Sequence, residues 1–328
     1  MSAASLEVGV IGAGAWGTAL AGVAARAGHA VTLWARSPET AARIRETGAN
    51  EAYLPGLALP ANITATANLS DLAGAGVVLI ATPAQVVRKT LTKFAGQFAP
   101  GTATVMCAKG IERGSQRLMS EVLAEELPEA QAYVLSGPSF AGDVARNLPA
   151  AVTLAGPSLD AAARLAEALS IPSFRIYASD DVIGVQLGGA VKNVLAIACG
   201  ISDGRGLGDS ARAALTTRAF AELARFGRAM GARPETLTGL SCLGDLVLTC
   251  ASRQSRNFAY GIALGEGTSA PRGTVEGVPT AGVVSDMAEA RGVDMPICAA
   301  VRRIVEGRSE IDEELGRLLA RPLKPEID

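Results

Sequence analysis

Histidine is nearly missing from this chain. The 328 residues hold one, His29, and a single imidazole cannot build a histidine-rich zinc site or a convincing Ser-His-Asp triad. It stands in Ala-Gly-His-Ala between an expected helix and strand, and is read as an exposed turn residue. Lysine is scarce as well. Only Lys89, Lys93, Lys109, Lys192 and Lys324 are lysines among 30 basic residues, and two of them, Lys109 and Lys192, sit among apolar and glycine neighbours. The five cysteines are scattered and form no CxxC, so no metal is expected. Their odd number, with no signal-peptide pattern, is read as free thiols in a reducing compartment and gives cytoplasm as the expected location.

No excess of charge of either sign is present: 30 basic residues face 32 acidic ones for a net charge of −2. A broad nucleic-acid surface is therefore not expected, and an anionic ligand must be met locally. Hydrophobic residues make up 49% and charged residues 19%, which excludes a disordered chain. The length predicts two domains.

The first half alternates strand and helix. Leu6 to Ile11 is a short apolar run that breaks at Gly12, and the alanine-rich stretch Thr18 to Ala27 stops at Gly28. Ala30 to Trp34 resumes as a strand. Ser37-Pro38-Glu39 then supplies a cap, a first-position proline and an acidic first turn for a helix to about Glu46. Further strands are expected at Ile63–Thr66, Val77–Ala81, Thr104–Cys107, Tyr133–Ser136, Ala151–Leu154 and Phe174–Ile176, with helices at Pro83–Phe98 and Arg117–Glu126. This pattern predicts an α/β fold with a Rossmann-like doubly wound sheet over residues 1–181. Beyond it, residues 182–328 read as an all-helical domain: Val182–Ile201, Ser210–Met230, Thr280–Arg291, Pro296–Glu306 and Glu310–Leu319. The first of these is apolar enough to suggest a membrane span, but Gln186, Lys192 and Asn193 near its middle point to a buried core helix, and no membrane insertion is expected.

Gly12, Gly14 and Gly17 form G-x-G-x-x-G between a strand and a helix, where a tight turn, close approach of a pyrophosphate and close helix packing each require glycine. The next strand ends in Arg36, not in a carboxylate that would bind a ribose hydroxyl. NADP is therefore favoured over NAD, although a surface arginine would read the same way. Hydride chemistry needs a proton donor, and with histidine absent from the plausible positions lysine is the candidate. Lys192 follows Gly188 and Gly189 by one helical turn, an arrangement expected to leave room for a ligand before the ammonium group, whose burial would lower its pKa. The alternative is a snorkelling lysine. Lys109 follows a strand, as does Ser136-Gly137-Pro138-Ser139-Phe140-Ala141, at places where such sheets carry ligand groups. Arg256, between Ser255 and Asn257, suits phosphate recognition, with helix capping as the competing reading.

Taken together, Gly12-Ala13-Gly14-Ala15-Trp16-Gly17-Thr18-Ala19-Leu20-Ala21, Ser136 to Ala141, Gly184-Val185-Gln186-Leu187-Gly188-Gly189-Ala190-Val191-Lys192-Asn193, Gly244-Asp245-Leu246-Val247-Leu248-Thr249-Cys250 and Ser255-Arg256-Asn257 resemble the bacterial NAD(P)-dependent glycerol-3-phosphate dehydrogenases. The resemblance implies reversible reduction of dihydroxyacetone phosphate to sn-glycerol 3-phosphate for glycerophospholipid synthesis, by a homodimer. It implies that Lys192 transfers the proton. Substrate would be held by Lys109, Gly137, Ser139, Lys192, Asp245, Ser255, Arg256 and Asn257. Besides the three glycines, Ala15, Trp16, Arg36, Lys109, Ala141, Arg256, Thr274 and Glu276 would contact the dinucleotide. Asp209, Ala219 and the stretch from Glu276 to Thr280 depart from the usual pattern. Two other readings stay open at this point: a related two-domain NADP-dependent hydroxy-acid or ketopantoate reductase, and a non-catalytic NADP-binding sensor.

Overall fold

In the computed structural model residues 5–270 and 273–322 are described; the outer ends of the two expected domains, and Lys324, fall outside them. All eight expected strands form: β1 (Glu7–Ile11), β2 (Ala30–Trp34), β3 (Ile63–Thr66), β4 (Val77–Ile80), β5 (Ala103–Met106), β6 (Gln131–Ser136), β7 (Ala150–Ala155) and β8 (Phe174–Ser179). They make one sheet in the order β3-β2-β1-β4-β5-β6-β7-β8. The first six are parallel, and β7 runs antiparallel to β6 with β8 parallel to β7. Chain order reverses between β1 and β4, which opens a crevice at their carboxyl ends.

Strands buried on both faces need continuous apolar runs. β4 provides one: Val77 and Leu79 join the core on one side of the sheet, and Val78 and Ile80 the core on the other. Both sheet edges are blunted against further pairing. Arg45 donates to the carbonyl of Ala65 in β3 (2.8 Å), and Ile171 and Phe174 exchange backbone hydrogen bonds at the start of β8.

Helices in the sheet half are α1 (Ala15–Arg26), α2 (Pro38–Thr47), α3 (Val87–Leu91), α4 (Met119–Glu126), α5 (Ala141–Ala145) and α6 (Leu159–Leu169). The helical half contains α7 (Val182–Gly204), α8 (Asp209–Ala229), α9 (Pro234–Leu237), α10 (Asp245–Thr249), α11 (Arg256–Glu266), α12 (Gly277–Glu289), α13 (Pro296–Val305) and α14 (Ile311–Leu319). α7 is its axis. The most apolar window of α7 is 83% buried inside the protein, as expected for a core helix.

Three expectations need correction. The helix expected over Pro83–Phe98 is two 3₁₀ turns flanking the short α3; Val87, Leu91 and Phe94 are buried at helical spacing, but the Thr90 and Thr92 hydroxyls bond back to Val86 and Arg88 carbonyls, and β-branched side chains crowd the turns. His29 is buried, not exposed. Its Nδ1 accepts from Leu6 N–H (3.2 Å) and its Nε2 donates to Ala168 O (2.7 Å), so both ring nitrogens are satisfied by backbone. Finally, α5, α6 and the helices between α8 and α12 have no counterpart among the expected elements. Each of α5, α9 and α10 is five residues or fewer, too short to show a period.

Candidate active site

At the crevice, the three glycines of the first turn have separate physical reasons. Gly12 has φ +113, a conformation that side chains resist. A Cβ on Gly17 would lie 1.9 Å from Gly12 O, so only glycine lets α1 close against the turn. A Cβ on Gly14 would meet nothing within 4 Å; that face is open, at the amino end of α1, where backbone N–H groups attract anions. Ala15 and Trp16 begin α1. Arg36 is exposed just beyond the end of β2.

The carboxyl ends of β5 and β6 deliver Lys109 and Gly137 to the same rim. Lys109 Nζ donates to Gly137 O (2.9 Å) and to Asp245 Oδ2 (2.7 Å). From the helical half, Lys192 Nζ donates to Asp245 Oδ1 (2.5 Å) and Thr249 Oγ1 (2.8 Å). One carboxylate, 1% exposed, thus joins a lysine from the sheet to a lysine from α7. Burying ions costs several kcal/mol each unless paired, and a third partner at Thr249 completes the compensation. Burial lowers the Lys192 ammonium to about 8; Asp245 pulls it upward and the positive charge of Lys109 pushes it down. An amine in that range can give or take a proton near neutrality.

The glycines before Lys192 do not leave the room expected of them. A Cβ on Gly188 would stand 2.1 Å from Cys242 Sγ, and one on Gly189 2.5 Å from Ser136 Oγ. The space is filled by protein, and the glycines let α7 approach the end of β6 on one side and the π-helical segment Leu240–Gly244 on the other. That segment leads directly into Asp245.

α11 carries the next cluster. Ser255 caps it, accepting from Phe258 N–H (3.2 Å), so the capping reading holds for this residue. Asn257 is buried, donating to Asn193 Oδ1 and accepting from Gly277 N–H, both at 2.9 Å, while Asn193 donates to Lys109 O (3.0 Å). Of the trio, Arg256 alone is exposed, at the first position of the helix. The α11 axis is held against α7 through glycine: a Cβ on Gly200 would meet Phe258 O at 2.1 Å, and one on Gly261 would meet Ile197 O at 2.2 Å.

Glu276 accepts from Ala84 N–H (3.1 Å) across the two halves. Burial holds its carboxyl above the usual carboxylate range, opposed by the Ala84 N–H and by Arg256. Ser139 donates to Gly137 O (3.0 Å), Ala141 opens α5, and Thr274 is exposed in the segment leading to α12, close in sequence to Gly273, whose Cβ position faces the Arg256 side chain. Thr249 was not singled out from sequence, although it lies one helical turn beyond Asp245.

Whether the site suits a dinucleotide can be judged from its orphaned atoms. Trp16 Nε1, Thr82 Oγ1, Ser136 Oγ and Glu276 Oε2 are buried without hydrogen-bond partners. Trp16 follows the glycine turn, Thr82 touches the Gly12 Cβ position, Ser136 borders Gly189 and Lys109, and Glu276 borders Gly110. Buried polar groups are rarely left unpaired; two of the four, Trp16 Nε1 and Thr82 Oγ1, stand beside the open glycine turn, which fits a polar ligand at that end of the sheet.

A mostly parallel sheet with a glycine turn at its switch point, where Lys109 from the sheet half and Lys192 from the helical half meet on one buried carboxylate, defines a nicotinamide-nucleotide oxidoreductase acting on a CH–OH group. The model of the NAD-dependent glycerol-3-phosphate dehydrogenase N-terminus matches residues 7–162, and that of its C-terminus residues 181–315. The chain belongs to this family. It is 55% identical over 326 residues to the NAD(P)+ glycerol-3-phosphate dehydrogenase of Caulobacter vibrioides, covering 98% of both chains. The crystal structure of glycerol-3-phosphate dehydrogenase from Coxiella burnetii superimposes with a TM-score of 0.91 at 40% identity, over 97% of this chain and 99% of that one. A ketopantoate reductase from Ralstonia eutropha shares the fold, with a TM-score of 0.61 over 94% of this chain and all of that one, at 19% identity.

Proposed function

We propose that this protein interconverts dihydroxyacetone phosphate and sn-glycerol 3-phosphate with NADPH or NADH, supplying glycerophospholipid synthesis in the cytoplasm as a homodimer. The observation that carries the reading is the convergence of Lys109 and Lys192 on Asp245 beside the open glycine turn. Residues 1–181 form the dinucleotide-binding domain in this reading, and residues 182–328 the substrate domain. The nicotinamide, when bound, supplies or takes the hydride. Lys192 as an ammonium gives its proton to the C2 oxygen of the ketone, and as an amine it takes the hydroxyl proton in reverse. Lys109 and Asp245 orient the substrate and set the charge around Lys192. Arg256 at the amino end of α11 receives the phosphate, with Ser255, Asn257, Gly137 and Ser139 shaping the pocket. Gly12, Gly14, Ala15, Trp16 and Gly17 receive the dinucleotide at the turn. Arg36 faces a 2′-phosphate, and Ala141, Thr274, Glu276 and the stems of Lys109 and Arg256 line the remainder.

The test is cofactor oxidation monitored with dihydroxyacetone phosphate and with unphosphorylated dihydroxyacetone. The phosphorylated ketone is expected to be strongly preferred, and Arg256→Ala to raise its KM tenfold or more, since a charge-assisted contact contributes about 1.5–3 kcal/mol. Arg36→Ala should weaken NADPH more than NADH. Equal turnover of the two ketones would overturn the substrate assignment, and equal loss of both cofactors the role of Arg36.

A further inference from the structure

The glycine turn is braced by a residue far from it in sequence. After α2 ends at Gly48, the segment Ala49–Leu59 folds back on itself through an Ala49–Ala58 bridge and backbone bonds from Tyr53 and Leu54 to Asn50 O. Leu54 anchors it in the core. This places Asn50, 2% exposed, beneath the turn, where its Nδ2 donates to Ala13 O (3.0 Å) and to Thr18 Oγ1 (2.8 Å). Ala13 is the residue between the first two glycines.

A trans peptide holds its C=O and the following N–H in one plane, pointing in opposite directions from the C–N bond. Fixing Ala13 O inward on Asn50 therefore turns Gly14 N–H the other way, toward the open face of the turn. Without that bond the Ala13–Gly14 peptide could rotate, because Gly14 has no side chain to restrict it and Gly12 on the other side of Ala13 is equally free of one. The second bond, to Thr18, ties the same amide to the first turn of α1, so the turn and the helix amino end move as one body. A site that must present backbone N–H groups to an anion gains from such prior orientation.

We propose that Asn50 is a positioning residue for the dinucleotide: it aims the Gly14 N–H at the pyrophosphate without touching the ligand. The inference rests on the reading of the glycine turn as the dinucleotide site. Asn50→Ala removes both donors, and Asn50→Asp replaces them with an acceptor facing Ala13 O. Asn62 is the control for the number of bonds lost: its Nδ2 also donates two, to Ala25 O (2.9 Å) and His29 O (2.7 Å), from a more exposed position at the opposite end of α1.

The experiment is direct titration of the full-length protein with NADPH by calorimetry or nucleotide fluorescence, together with steady-state kinetics and thermal unfolding. Asn50→Ala should raise the Kd for NADPH at least tenfold and Asn50→Asp more, with KM for dihydroxyacetone phosphate and kcat at saturating NADPH within about threefold of the parent. Asn62→Ala should lower the melting temperature while leaving Kd within about twofold. An unchanged Kd in Asn50→Ala, or an equal rise in Asn62→Ala, overturns the proposal while the dinucleotide site stands. A parent protein that fails to bind NADPH overturns the reading of the site itself and the role of Asn50 with it.

Discussion

Lys192 is held by two opposing effects that can be weighed from its surroundings. Desolvation on α7 exceeds the pull of Asp245, and the result is an ammonium lowered to about 8. The sign of the pH dependence follows. Ketone reduction needs the protonated lysine, so its rate should fall as pH rises through about 8, whereas alcohol oxidation needs the amine and should rise over the same interval. Asp245→Asn removes the upward pull, so the reduction limb should move to lower pH, even if the overall rate drops because Lys109 loses a partner too. Lys192→Ala should cut turnover by about a hundredfold or more, and Lys192→Arg, which cannot lose its proton near neutrality, should not restore it. Turnover measured from pH 6 to 10 in both directions checks all three. A Lys192→Arg enzyme of near-parent rate with an unchanged profile would reduce Lys192 to an electrostatic role.

Among the elements, α7 and α11 depend most on what is not there. Gly200 and Gly204 of α7 face Gly261 and Gly265 of α11, and a methyl group at any of the four would come within 2.6 Å of backbone on the other helix. Small residues at four-residue spacing let two helices touch along their main chains. The contact fixes the distance between Lys192 on one helix and Arg256 and Asn257 on the other. Gly261→Ala cannot be relieved by moving a side chain, because its obstacle is Ile197 O at 2.2 Å. Overpacking of this kind costs about 1–3 kcal/mol. The expected outcome is a lower melting temperature together with a raised KM for dihydroxyacetone phosphate, with a smaller rise in Kd for NADPH, whose glycine turn lies in the other half. Parent-like stability and KM would show that the helices separate without consequence for the site.

Across the whole molecule, the two halves share their interiors. Ile111 and Leu118 of the sheet half belong to the core built on α7, and Val185 of α7 belongs to the core beneath β4 and β5. Ser120 and Gln186 exchange hydrogen bonds across the junction (3.2 and 2.8 Å), alongside Lys109–Asp245 and Ala84–Glu276. A junction with this much buried apolar surface should not melt separately from what it joins. Calorimetry of the full chain is expected to give a single cooperative transition, and two resolved transitions would show that the halves fold independently. All five cysteines are free and buried, so no disulfide contributes to that cooperativity.

The order of the eight strands along the chain, the glycine turn and the long helix carrying Lys192 were legible in the sequence because each rests on local rules: short apolar runs bounded by turn residues, turn chemistry and one long apolar run. The resemblance in five motifs reached the activity. What the sequence did not contain was the partner of each group. That Asp245 takes both lysines, that Gly188 and Gly189 admit Cys242 and Ser136 rather than a ligand, that His29 is buried between two backbone groups, and that Asn50 braces the first glycine turn are all contacts between distant residues. They exist only once the sheet ends and α7 are brought together, and the free energy of burying a charge or an amide depends on that meeting and not on neighbours in the chain.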